Sequence, residues 1–123
     1  MTREHDVTLE LLLQATGKVA DFVLGSDLKS FLVDQKTQSA VIMQLIVIGE
    51  LSKKLPEDLK AKIDLPWKLM AGFRDLAVHE YFELDLRQVW DTANRDVPAV
   101  REKLESFLKA NGNFHKKKHI KGR

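Results

Sequence analysis

The densest run of chemistry-bearing side chains is Gly72-Phe73-Arg74-Asp75-Leu76-Ala77-Val78-His79-Glu80-Tyr81-Phe82. It holds a guanidinium, a carboxylate, an imidazole and a phenol, the groups of anion binding and proton transfer. Set on a helix, Trp67, Leu69, Met70, Phe73, Leu76, Ala77 and Val78 form one broad apolar arc, and Arg74 lies inside it. A guanidinium there must be paired, or must face a cleft or interface where an anion binds. Glu50 is a candidate partner in the first case. Tyr81 is seven residues past Arg74, two turns on and in nearly the same direction. His79 lies about 140° from Arg74 on an ideal helix. The two converge only if the helix is distorted or if two copies of it meet.

Other chemistries find little support. The chain has no cysteine, which excludes a disulfide scaffold, a thiolate zinc site and a cysteine nucleophile. Its glycines, at 17, 25, 49, 72, 112 and 122, form no phosphate-cradling loop. There is no serine-nucleophile elbow. His115 and His119 have the i, i+4 spacing of helical metal ligands, but Lys116, Lys117 and Lys118 between them oppose a cation. No metal site is expected.

The elements that must carry the Arg74 segment read as helices throughout. Leu12, Ala15, Val19, Phe22 and Val23 recur at three- and four-residue steps, with Asp6 as the expected cap and Gly25 as the end. Ser26 is the expected cap of a short helix through Leu28, Phe31 and Leu32. A third helix is expected from about Thr37 to Leu55, stopped by Pro56, which opens a short turn to Ile63. That third helix is apolar on nearly every side: Val41, Leu45, Ile48 and Leu55 on one, Ile42 and Ile46 on another, Met43 and Val47 on a third. It is either the central helix of a bundle or a helix with a second face covered by another subunit, and the two are compatible. Pro66 opens the helix of the Arg74 segment, which is expected to run to about Tyr81. The last helix opens at Asp85, with Gln88 at capping-box spacing, and ends at Asn111-Gly112. Pro98 removes a backbone donor within it and predicts a kink or short break near Ala93 to Val97. The fold class is therefore all-α, an up-and-down bundle of four to five helices, in one domain over 1–110.

The 123 residues suffice for one domain, and the core can bury roughly two-thirds of the unfolded surface without staples. The 20 Lys and Arg against 18 Asp and Glu give a net charge of only +2. That figure averages two unlike parts. Residues 115–123 carry five positive charges and no acid, leaving 15 basic and 18 acidic residues over 1–114, a net of −3. The 111–123 segment is expected to be a flexible basic tail, either simply solvated or a contact for RNA phosphates. The charged start has no apolar core of a signal peptide, and the longest apolar run, Ala40 to Ile48, is too short to span a bilayer. A cytoplasmic location without membrane contact is the expectation.

The ordered residues resemble a known family. Arg74-x4-His79-x-Tyr81 is similar to the R-x4-H-x-Y motif of HepT-like toxins, in the HEPN superfamily of small helical domains. Lys36-Thr37-Gln38-x-Ala40-Val41, Ile48-Gly49-Glu50, Pro66-Trp67, Ala71-Gly72-Phe73-Arg74-Asp75, His79-Glu80-Tyr81-Phe82, Asp85-Leu86 and Val89-Trp90 follow that family's pattern in order, over about residues 6 to 110. Phe73 stands where the pattern has methionine or isoleucine, and the basic tail lies outside it.

The resemblance implies a HEPN-like, dimer-forming fold and a metal-independent RNA endonuclease that needs no cofactor. It makes Arg74 and His79 catalytic, in a cleft between the protomers of a homodimer, with Asp75 in support. It also implies a type VII toxin–antitoxin system. There a minimal (MntA-like) nucleotidyltransferase antitoxin moves AMP from ATP onto Tyr81 and silences the toxin. The residue types suit this chemistry. Metal-free RNA cleavage needs a base for the 2′-OH proton and an acid for the leaving 5′-oxygen, and an imidazole can serve as either. A guanidinium can hold the phosphate and stabilise its developing charge. Tyr81 is the only tyrosine, so no other phenol can take the AMP group. Two rival readings are a non-catalytic nucleotide-binding subunit of a nucleotidyltransferase complex and a helical interaction module whose Arg74 is structural.

Overall fold

A computed structural model describes residues 2–112. Four long helical stretches follow one another: α1 (Arg3–Val23), α3 (Gln35–Lys53), α5 (Trp67–His79) and a C-terminal stretch of α6 (Leu86–Asp91) and α7 (Val97–Ala110). One-turn helices α2 (Leu28–Phe31) and α4 (Glu57–Lys60) bridge the first three. Among the described residues there is no strand, so the all-α expectation holds. No helix there is long and apolar enough to cross a membrane.

The helix starts are set by short polar side chains, though often not the ones expected. Thr2, not Asp6, caps α1, its hydroxyl accepting the His5 amide at 3.1 Å. Asp6 lies inside the first turn, where its charge suits the positive helix end. Asp27, one residue past the expected Ser26, caps α2 in a capping box with Ser30. α3 opens at Gln35 under Asp34, whose carboxylate accepts from both the amide and the hydroxyl of Thr37. It ends at Lys53, before the expected Leu55, and α4 stops at Lys60, before the expected Ile63. Asp85 caps α6 as expected, but its side chain accepts from the Arg87 amide rather than closing a box with Gln88. Gly112 has a φ of 67°, which suits glycine just past the end of α7.

α3 is the central helix. It packs along α1 on one side and α5 on the other, and α1 also packs on α7. Its Val41, Ile42, Leu45 and Ile48 are buried with Leu9, Leu12 and Val19 of α1. Leu104 and Leu108 of α7 close the same core. Met43 remains 54% exposed, so the third apolar side of α3 is left partly uncovered. Phe22, expected in the α1 stripe, sits at the surface. The interruption predicted by Pro98 is a π-helical turn over Thr92–Asp96, in which the Val97 amide reaches back five residues to the Thr92 carbonyl. Proline has no N–H and crowds the carbonyl four residues earlier; the wider turn accommodates both.

α5 stands off from the C-terminal stretch. Between them runs a groove of about 790 Å³, lined by Leu69, Phe73 and Leu76 of α5 and by Leu84, Val89, Val97 and Val100 opposite. α5 is therefore seated on α3 and open to solvent along its other side.

Candidate active site

Two contacts fix α5. At its start the Trp67 indole N–H is shared between the Lys60 and Ile63 carbonyls, at 3.1 and 3.0 Å, which ties the helix to the α4 turn. Midway, Gly49 of α3 lies against Met70 and Arg74. A Cβ on residue 49 would stand 2.6 Å from the Met70 carbonyl oxygen and would overlap the Arg74 Cβ. Only a residue without a side chain allows this approach. It presses the root of Arg74 onto α3.

Arg74 then extends over Glu50. Its Nε is 2.7 Å from Glu50 Oε1. The N–H does not aim at that oxygen, so the contact is an ion pair rather than a hydrogen bond. Its Nη1 donates to Asp75 Oδ1 at 3.1 Å. The pairing with Glu50, expected for a structural arginine, is thus present. It does not exhaust the side chain, because among the described residues Nη2 makes no hydrogen bond. The hydrogen bond to Asp75 raises the Arg74 pKa; burial opposes it, and the charge of Glu50 adds to the rise.

Asp75 is the hub of this cluster. The same Oδ1 also accepts from Lys53 Nζ, at 2.6 Å. The Lys53 hydrogen bond, then that from Arg74, hold the Asp75 carboxyl below the usual carboxylate range. Lys53 is the one member of the cluster that sequence reasoning missed. It sits three residues after Glu50, hence on the same side of α3, which is the signal that marks it.

His79 is the last residue of α5. The helix is regular from Arg74 to His79, so their separation around the axis persists, with a rise of about 7.5 Å between them. The structure does not bring the two together within one chain. Among the described residues the His79 side chain has no hydrogen bond or ion pair, and it is exposed. Leu69, Gly72, Leu76 and His79 instead follow one another along the α5 side away from α3, at steps of three, four and three.

The helix does not reach Tyr81, contrary to expectation. It stops at His79, and Tyr81–Glu83 form a 3₁₀ turn. The backbone must reverse between Glu80 and the extended Leu84 so that Asp85 can cap α6. The two-turn alignment of Tyr81 with Arg74 therefore does not apply. Tyr81 is 41% exposed, and its ring meets Phe82 edge-on at 5.7 Å. Phe82 itself is 96% exposed. His115 and His119 lie outside the described residues.

The arrangement offers a half-buried, oriented guanidinium with a free edge, an exposed imidazole five residues on, and an accessible phenol just beyond. Known proteins are similar to this chain over most of its length. The family profile described as "Ribonuclease HepT-like" matches residues 12–107. A protein of Thermococcus cleftensis named "Probable ribonuclease HepT" is 39% identical over 110 residues, covering 89% of this chain and all of that one. A Methanocaldococcus jannaschii protein named "Putative RNase MJ0127" is 39% identical over 99 residues, covering 80% of this chain and 82% of that one. No solved structure matches. With its helices, its Arg74–His79–Tyr81 segment and a match over most of its length, the chain belongs to the HepT-like ribonuclease family, within the HEPN group of small helical domains.

Proposed function

We propose that this protein is the toxin of a type VII toxin–antitoxin pair, a metal-independent RNA endonuclease that works as a homodimer. Arg74 binds the scissile phosphate through its free Nη edge and stabilises the charge that builds on the phosphoryl oxygens. His79 moves the protons, from the 2′-OH and to the leaving 5′-oxygen. A single chain holds these groups on different sides of α5, so the dimer supplies the complete set. The apolar side of α5 that carries His79 is the surface a second copy would cover. A minimal nucleotidyltransferase antitoxin silences the enzyme by placing AMP on Tyr81. The group would add bulk and negative charge beside the site and compete for Arg74.

The observation that carries this reading is the incomplete pairing of Arg74: a guanidinium braced by Glu50 and Asp75, yet with an edge left for a ligand. The test is cleavage of labelled RNA by the purified chain with EDTA present. Arg74→Ala and His79→Ala should each lower the rate by about 10²-fold or more, with unchanged circular dichroism. Intact RNA beside persistent growth arrest would overturn the ribonuclease reading. Bound ATP or AMP without cleavage would favour a nucleotide-binding subunit instead. Co-expression with the nucleotidyltransferase should add AMP masses that Tyr81→Phe abolishes; AMP on another residue would refute the acceptor assignment.

A further inference from the structure

The geometry points to Lys53 as a second phosphate-binding residue of the Arg74 site, contacting the same RNA phosphate from the neighbouring helix. This rests on reading the site as a ribonuclease centre. Lys53 closes α3 and Arg74 lies midway along α5, yet both donate to one atom, Asp75 Oδ1, at 2.6 and 3.1 Å. Two cations from two helices thus converge on one point, and in the free protein a carboxylate oxygen fills it. A phosphate oxygen placed beside Asp75 would meet the same two donors.

Each cation keeps capacity for a ligand. An ammonium has three donors, and the contacts of Lys53 account for one. Arg74 keeps Nη2. Glu50 holds the Nε side of the guanidinium, while Nη1 rests on the Asp75 oxygen that Lys53 also contacts. The Lys53–Asp75 pair is itself accessible, with side chains 38% and 51% exposed. Exposed ion pairs contribute little to stability, so Lys53 can turn to an incoming anion at small cost. Glu50, Lys53, Arg74 and Asp75 together sum to zero charge. The site therefore attracts RNA by local donors rather than by a broad basic field.

The experiment compares the full chain with Lys53→Met, which keeps most of the aliphatic stem, and Lys53→Arg, which keeps the charge. Cleavage of a labelled oligoribonucleotide is measured by steady-state kinetics, and its binding by fluorescence anisotropy, across a salt series. Lys53→Met should raise KM about tenfold with kcat within about twofold, and flatten the log–log salt slope of binding by about 0.7, one single-strand phosphate contact. Lys53→Arg should restore both. Unchanged KM and slope in Lys53→Met would overturn the assignment. So would a loss of kcat that Lys53→Arg does not rescue, which marks a purely structural role. If the wild-type chain cleaves no RNA, the ribonuclease reading fails separately. Anisotropy still decides Lys53: weaker, less salt-dependent binding by Lys53→Met upholds the contact, and equal binding refutes it.

Discussion

At the scale of single residues, the site is a charge cluster that four side chains share. Asp75 sets its acid limit. Lys53 and Arg74 lower the folded pKa of its carboxyl, so the folded chain keeps Asp75 ionised where the unfolded chain would protonate it. The resulting stability is fully present above the ordinary carboxylate value, about 3.9, and is lost as pH falls through the lower folded value. Asp75→Asn should therefore melt below wild type at pH 6, and the gap should narrow as pH falls through the lowered folded value. A melting series from neutral to acid pH checks it, and a gap that does not narrow on acidification would contradict the pairing. The Arg74–Glu50 contact was legible in the sequence, because Arg74 falls inside the apolar arc that had to face another helix. The Lys53–Asp75 contact was not. It joins residues 22 apart, and no periodicity within either helix encodes which carboxylate a lysine reaches across a helix pair.

At the scale of elements, the decisive feature is how closely α3 and α5 approach. Gly49 sets that distance, and Arg74 grows out of the contact point. Gly49→Ala should push α5 outward and destabilise the fold by about 1–3 kcal/mol, the usual penalty of overpacking. Denaturant unfolding measures the first effect. A fall in cleavage larger than the stability loss explains would show that Arg74 had moved as well. Helix identity was readable from apolar spacing nearly everywhere, and so was the interruption that Pro98 imposes on the last helix. Boundaries were less readable. Asp34 and Thr37, or Ser26 and Asp27, are each capable caps, and only the packing of α1, α2 and α3 selects between them. The end of α5 at His79 is a tertiary decision of the same kind, imposed by the turn into α6.

At the scale of the whole molecule, the bundle packs α3 between α1 and α5 and is open beside α5. Leu69 is 75% exposed at the edge of the groove, so a charge there should cost the isolated chain little. If the proposed homodimer forms through this side of α5, Leu69→Glu should halve the mass measured by light scattering and abolish cleavage while leaving helicity unchanged. A monomeric variant that still cuts RNA would sink the two-chain active site. The position of Tyr81 has a spectroscopic consequence for such an assembly. It is the only phenol in the sequence, it stands on an exposed turn at the foot of α5, and its ring lies within 5.7 Å of another ring. Ring-labelled tyrosine should therefore give one set of aromatic resonances from a symmetric dimer. Under the proposed modification, a dimer with AMP on the Tyr81 of one protomer should give two sets of equal intensity, so a single spectrum would count how many subunits carry it.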